Sequence, residues 1–293
     1  MIKHFGSLYA GHVDLGELGF RGTAVNDRRF DNEHLSTIFS RVEQIAKVMD
    51  DLDYHSFWMA EHHFQHEGNE TIPNLLLLYV HLANITKNLK FGCGFNINPM
   101  WHPLRLAEDY ATADILTKGR VIFGVGRGYH SREVDTFGVP STNSDNDANR
   151  EMFEEQVEII MKAWTNDTFS FQGKHWQIPP RQDIDWPAAK VSHEFGKGVR
   201  ADGTIEEVGI APGLYNNKML DLFMPFATSE RSIAWGMERG VVPVTIMTHP
   251  EVIKSHFRAG QEAAAKAGRD LKFGQDMALT REIIVTDTEA EAE

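Results

Sequence analysis

A single cysteine among 293 residues, Cys93, excludes an internal disulfide and fits a reducing compartment. Long apolar runs are also missing. No stretch approaches the ~20 apolar residues a membrane-spanning helix needs. The opening "MIKHFGSLYAGH" has no apolar core followed by a small-residue cleavage site. Basic residues are scarce: 29 Lys and Arg stand against 42 Asp and Glu, a formal net charge of −13, and no basic cluster forms. A general phosphate-tracking face for nucleic acid is therefore excluded. The expectation is a soluble cytoplasmic protein with neither nucleic acid nor membrane as partner. With 42% hydrophobic and 24% charged residues, the composition is that of an ordered globular chain.

What is present is an alternation of short apolar runs with helical patterns. Residues 2–9 make the first run. Leu35, Ile38, Phe39, Val42, Ile45, Ala46, Met49 and Leu52 then recur at 3/4 spacing, predicting an amphipathic helix. "SFWMA" (56–60) precedes an apolar helix opening near Pro73. "LKFGCGF" (89–95) precedes a helix after Pro103. "RVIFGVG" (120–126) precedes one over about 149–164, entered through the cap-rich "STNSDNDAN". Residues 169–217 break the rhythm with a polar, Pro/Gly-rich insertion, in which Asp202-Gly203 predicts a hairpin turn. Three more runs follow: "LDLFMPFA" with a helix over 229–239, "VVPVTIM" with a helix over about 250–268, and "ALTREIIVTDT". Repeated βα units predict a parallel sheet, either doubly wound or closed as a (β/α)8 barrel. Seven runs leave a full barrel one strand short.

Four stretches carry candidate chemistry. In "EHHFQHE" (61–67), a helix would put His62, His66 and Glu67 on one face as metal ligands. Yet the preceding residues read as a strand, and both H-E-x-x-H and H-x-H are absent, so no metal is expected. A plain surface loop remains possible on spacing alone. A catalytic cluster is the favoured reading, because barrels place their chemistry just past strand ends. "FGVGRGYHSREVDTFG" (123–138) puts Tyr129 where the dinucleotide fingerprint requires a third glycine, which excludes a nicotinamide site of that type. Its small residues around Arg127 suit close approach to a flat ring or a phosphate; a solvated arginine at a glycine-rich strand end is the alternative. In "FATSERSIAWGMERG" (226–240), Thr228, Ser229 and Ser232 make either an anion site at a helix start or simple N-capping by Ser229. In "CGFNINPMWHP" (93–103), Gly94, Phe95 and Asn96 are placed to face a planar ligand. Cys93 reads as a packed small residue and His102 as a helix-entry residue.

The order "AEHHF", "NPMWHPLRLAEDYATADILTKGRVIFGVGRG", "FGVP", "ATSERSIAWGMERG" resembles the bacterial luciferase-like flavin monooxygenases. The likeness runs over nearly the whole chain and is densest over 58–176. It implies one luciferase-like α/β (β/α)8 TIM barrel domain over 1–293, interrupted at 169–217. Family members continue with a further strand and helices past "VTDTEAEAE", so a C-terminally shortened form lacking the eighth unit is expected. Carried over by position, the resemblance makes His62 the active-site histidine. It places a cis non-proline peptide at Gly94 and Phe95, with Asn96 beside it, under the flavin ring. Arg127 with Gly128, and Thr228, Ser229 and Ser232, become contacts of the flavin phosphate. Glu133 becomes an acidic residue near the flavin, and Tyr9, Glu61, His63 and Tyr129 candidates for the substrate pocket. Gly126 stands where luciferase proper carries cysteine, so light emission is not implied. Pro225 falls inside the expected fifth strand, an uncomfortable place for a residue without an N–H. The implied activity is monooxygenation: reduced FMN adds O2 at C4a, and the (hydro)peroxyflavin oxidises a small organic substrate, with His62 as proton-transfer group. A separate flavin reductase and a homodimer or heterodimer go with it. The competing readings are an F420-dependent hydride-transfer oxidoreductase on the same barrel and a non-catalytic flavin-binding relative.

Overall fold

A computed structural model describes residues 2–15, 29–181, 190–224, 227–283, 285–288 and 290. The chain divides into two compact units, Met1–Leu220 and Asp221–Glu293.

In the first unit, strand β1 (Gly6–Tyr9) leads to helix α1 (Asn32–Asp51), β2 (Ser56–Met59) to α2 (Leu75–Ile85), and β3 (Lys90–Cys93) to α3 (Pro103–Thr117). A two-residue strand β4 (Asn96–Ile97) intervenes before α3, and β5 (Val121–Gly126) follows it. All these strands pair in parallel. Gly6 to Tyr9 lie opposite Ser56 to Met59, which lie opposite Lys90 to Cys93. Phe91 and Gly92 face Val121 and Ile122, and β4 continues along β5 through Asn96 and Val125. Local chemistry sets the helices. Asp31 caps α1 by accepting from the His34 N–H at 2.8 Å, and Ile38, Val42, Ala46 and Met49 form its buried stripe. Each large member of such a stripe contributes about 1.5–3 kcal/mol of burial. Asn74 caps α2 in the same way, so the helix begins after Pro73 and not at it. Lys118 and Gly119 end α3 with φ of 58° and +83°.

The two buried strands β3 and β5 are spaced by glycine. A Cβ on Gly92 would stand 2.3 Å from the Trp58 ring, and one on Gly124 only 1.6 Å from the Cys93 carbonyl oxygen. Helix α4 (Ser131–Val134) and the long α5 (Asn146–Thr165, capped by Asp145) follow β5. The insertion holds an antiparallel pair that the sequence did not suggest, β6 (Phe171–Gln172) with β7 (Gln177–Ile178), and a short helix α6 (Lys190–Phe195). The Asp202-Gly203 turn is present, but it closes on one bridge, Val199 with Ile205, and not on an extended hairpin.

The second unit runs β8 (Leu222–Met224), α7 (Glu230–Glu238), β9 (Val242–Thr245), α8 (Pro250–Lys266) and β10 (Ala278–Leu279). Its strands are again parallel, Phe223 opposite Val242 and Val244 opposite Ala278. Pro225 lies outside the described residues. The last apolar run gives a strand of only two residues, since Ile283 and Val285 are 81% and 87% exposed. Each of the seven runs thus holds a parallel strand.

Candidate active site

The loop after β2 is pinned from several sides. The His62 N–H donates to Ile72 O at 3.2 Å, the Thr71 N–H to Gly11 O at 3.0 Å, and the Val13 N–H to Gly68 O at 2.9 Å. From the other side, Gly128 turns the chain sharply after β5. Its φ is +77°, and an added Cβ would meet Val134 at 2.5 Å and Ile97 at 2.6 Å. That turn delivers α4, and with it Glu133, to the histidine.

Three carboxylates and two histidines then form one cluster. His62 Nδ1 lies 3.1 and 3.2 Å from the two oxygens of Glu133, and His62 Nε2 lies 3.2 Å from Glu70 Oε2. Both His62 and Glu133 are buried, whereas the Glu70 side chain is 26% exposed. Glu133 also accepts from the His63 N–H at 3.1 Å and from Gln65 Nε2 at 3.2 Å. Burial opposes charge on His62, but the hydrogen bond to Glu133 and the fields of Glu70, Glu133 and Glu61 outweigh it and raise its pKa. Burial likewise works against an ionised Glu133, yet the bonds from His62, His63 and Gln65 prevail and lower its pKa. Ionised carboxylates only accept hydrogen bonds, so a histidine with one on each nitrogen needs both N–H protons. The arrangement favours the imidazolium form of His62.

Glu61 sits behind this pair. It is 1% exposed and accepts four hydrogen bonds: from Asn96 Nδ2, the Ile97 N–H and Trp101 Nε1, each at 2.8 Å, and from His63 Nε2 at 3.1 Å. The Asn96 carbonyl in turn accepts from Tyr110 at 2.5 Å. Asn96 thus holds Glu61 through its amide nitrogen and Tyr110 through its amide oxygen. Glu61 braces the site from within the core and does not line an open pocket.

The other expected residues fall as follows. The Gly94–Phe95 peptide is cis, as the resemblance implies for this position. Arg127 reaches Asn146 at 2.5 Å, and its carbonyl accepts from Asn149 at 2.7 Å. Tyr9 is half-buried and donates to the His12 carbonyl, while Tyr129 is 59% exposed. His66 and Glu67 belong to the outer loop, where Glu67 pairs with Arg132 at 2.9 Å. Among the described residues no group of three His, Cys, Asp or Glu converges as a metal cage. Cys93 is fully buried, and burial pushes its thiol far above the usual range, the state of a packed residue and not of a nucleophile. In the second unit, Ser229 caps α7. Its hydroxyl accepts from the Ser232 N–H at 3.3 Å and donates to the Ser232 hydroxyl at 3.0 Å; Thr228 is exposed beside it.

Sequence reasoning missed Glu70, Gln65, Trp101 and Tyr110. Glu70 was open to view in "EHHFQHEGNE", eight residues past His62, but no regular spacing ties two residues of an irregular loop.

A cleft of about 270 Å³ opens on the cluster, lined by His62, Gln65, His66 and Glu70 and by apolar Phe39 and Phe64. Parallel βα units with a buried polar cluster just past a strand end follow the arrangement in which α/β barrels place their chemistry. The chain belongs to the luciferase-like monooxygenase family, whose sequence model matches residues 24–293. It is 31% identical over 182 residues to the oxygenase component of the flavin-dependent trigonelline monooxygenase of Acinetobacter baylyi, covering 58% of this chain and 49% of that protein. Identity to the 3,6-diketocamphane 1,6-monooxygenase of Pseudomonas putida is 25% over 84% of this chain and 63% of that one. The chain thus spans about half to under two thirds of these relatives' length. Among solved structures, the oxygenating constituent of 3,6-diketocamphane monooxygenase from P. putida, a type II Baeyer-Villiger monooxygenase in complex with FMN, superposes with a TM-score of 0.71. That match covers 99% of this chain and 70% of the other at 21% identity. An F420-dependent secondary alcohol dehydrogenase gives 0.65 over 95% and 68%, at 15% identity. The fold is accordingly the luciferase-like barrel type.

Proposed function

We propose that this chain is the oxygenase part of a two-component flavin-dependent monooxygenase, acting on a small organic substrate with FMN reduced by a separate reductase. The observation that carries the reading is the buried His62–Glu133 pair at the end of β2, in a chain of this family. The residues present suit FMN chemically. In the first unit, Arg127 offers a guanidinium for a phosphate, and the Gly94–Phe95 backbone with Gly126 leaves little bulk at the strand ends. Bound there in reduced form, FMN would supply activation of O2 at its C4a carbon.

The chain's own share is positional and electrostatic. As an imidazolium, His62 is the source of a proton for an oxygen that gains negative charge, and Glu133 keeps the ring oriented. The first test is to mix anaerobically reduced FMN with the protein and then admit oxygen. A long-lived flavin–oxygen absorbance, discharged on adding substrate, is the expected result. Immediate return to oxidised FMN with stoichiometric H2O2 under all conditions would sink the proposal, and tight binding of F420 with hydride transfer would replace it. Within the working enzyme, His62→Ala should cut product formation by roughly 10²- to 10⁴-fold while FMN affinity stays within a few-fold. Unchanged turnover would remove His62 from the chemistry.

A further inference from the structure

His62 has no ring nitrogen left over. Nδ1 is held by Glu133 and Nε2 by Glu70, and Gln65 Nε2 bridges the two carboxylates at 3.2 Å to Glu133 and 3.3 Å to Glu70. The two holders differ in one respect. Glu133 is buried and tied by three donors, whereas Glu70 is a quarter exposed and lines the cleft. A proton on Nδ1 meets a carboxylate buried away from the cleft, while one on Nε2 has a carboxylate in contact with the cleft 3.2 Å away. We infer that Glu70 is the positioning residue and proton outlet of His62, holding the imidazole by Nε2 and passing that proton between the ring and the cleft.

The step balances without a redox partner. The Nε2–H bond breaks and an O–H bond forms on Glu70 Oε2. The imidazolium and carboxylate become a neutral imidazole and a carboxylic acid, and the acid gives its proton to water or to a basic atom bound in the cleft. The reverse sequence reloads the ring. Throughout, the Nδ1–H bond to Glu133 fixes the tautomer, so Nε2 is always the nitrogen that exchanges. The charged or titratable groups around the ring are Glu133 and its neighbour Arg132 from α4, Glu61 and His63 from its own loop, Glu70 and His66 across the cleft, and Tyr129, whose phenol is pushed up by burial and by Glu70 and Glu133. Among the described residues, only Glu70 is in contact with both Nε2 and the cleft.

The use of this proton in oxygenation rests on the function proposed above, but the exchange itself is tested without flavin or substrate. In 15N-histidine-labelled full chain, two quantities are read for His62: the pH at which it loses its proton, and the exchange rate of its Nε2–H with water. Glu70→Gln keeps a hydrogen-bonding group but cannot carry the proton. It should move the His62 titration to lower pH by about one unit, the effect of losing one adjacent opposite charge. It should also slow Nε2–H exchange about tenfold or more. Glu70→Asp should restore part of both, which a purely structural role would not require. An unmoved titration in Glu70→Gln, with Glu133→Gln shifting it, overturns the holding role; unchanged exchange overturns the outlet. If both NMR results hold and the wild type still makes no product with reduced FMN and O2, the monooxygenase reading fails and the outlet stands.

Discussion

Removing the carboxylate of Glu61 should cost more stability than any surface change in the loop around it. The residue is 1% exposed and satisfies four donors, of which three (Asn96 Nδ2, the Ile97 N–H and Trp101 Nε1) have no other acceptor among the bonds described. Each buried donor left unpaired costs about 1–3 kcal/mol. The space vacated in Glu61→Ala admits some water, so the three do not add in full, and the expected loss is about 3–5 kcal/mol. Glu61→Gln discriminates between charge and acceptor count. Its amide oxygen can keep Asn96 and Ile97, and His63 can change tautomer to accept from the new NH2, so only Trp101 is orphaned, at about 1–3 kcal/mol. At about 2–4 °C per kcal/mol for a unit of this size, thermal unfolding resolves the two variants, and urea titration with an unchanged m-value checks them. An alanine variant within about 1 kcal/mol of wild type would show that the four bonds do not organise this end of the sheet. A glutamine variant as damaged as alanine would show that charge, and not the number of acceptors, is what the core requires.

Two further outcomes follow from the same geometry. Gly124→Ala places a methyl 1.6 Å from the Cys93 carbonyl oxygen, which cannot retreat without loosening the β3–β5 pairing. It should cost at least about 3 kcal/mol or abolish soluble expression, while Gly213→Ala, with nothing within 4 Å of its Cβ, should stay within about 0.5 kcal/mol. Stability should also peak in a pH window set by the buried pair. The folded pKa of His62 is raised, so its contribution is complete below its unfolded value of about 6.5 and is lost as pH climbs through the folded value. The folded pKa of Glu133 is lowered, so its contribution is complete above about 4.5 and is lost as pH falls through the folded value. Glu133→Gln should therefore flatten both limbs of a stability-against-pH curve; limbs as steep as in wild type would deny the pairing.

Periodicity carried most of the fold. All seven apolar runs contain parallel strands; of the 3/4 stripe of α1, Ile38, Val42, Ala46 and Met49 are buried, while Phe39 and Leu52 stay exposed. It did less well where tertiary contacts, and not local pattern, decide the outcome. The run 278–288 is apolar enough for a full strand, yet among the described residues the strand is confined to Ala278 and Leu279, paired with β9. Helix α5 begins at Asn146, three residues before the reading, because Asp145 and not a later residue accepts from the Ala148 N–H. The short strands β4, β6 and β7 have two residues each, below the length at which alternation can be read.

The site was legible in its members and not in their partnerships. "EHHF" stood out because a strand ended there, and the resemblance picked His62 within it; the small residues of "GRG" suggested close approach to a ligand, and the structure shows that Gly128 also makes a sharp turn. Glu133 was expected near the flavin; the structure sets it against Nδ1 of His62, 71 residues away in sequence. The two carboxylates of "EHHFQHEGNE" that matter look alike as letters and do opposite work. Glu61 is next to His62 in sequence and yet turns inward, to Asn96 and Trp101, because the backbone leaving β2 points its side chain at the sheet. Glu70 is eight residues on, and the loop folds it back over Nε2. What separates them is burial and the number of donors each meets, quantities that exist only once β2, β4 and α4 are assembled. A charged loop is therefore weak evidence for catalysis until its carboxylates have been sorted into those that brace a histidine and those that can exchange a proton with it.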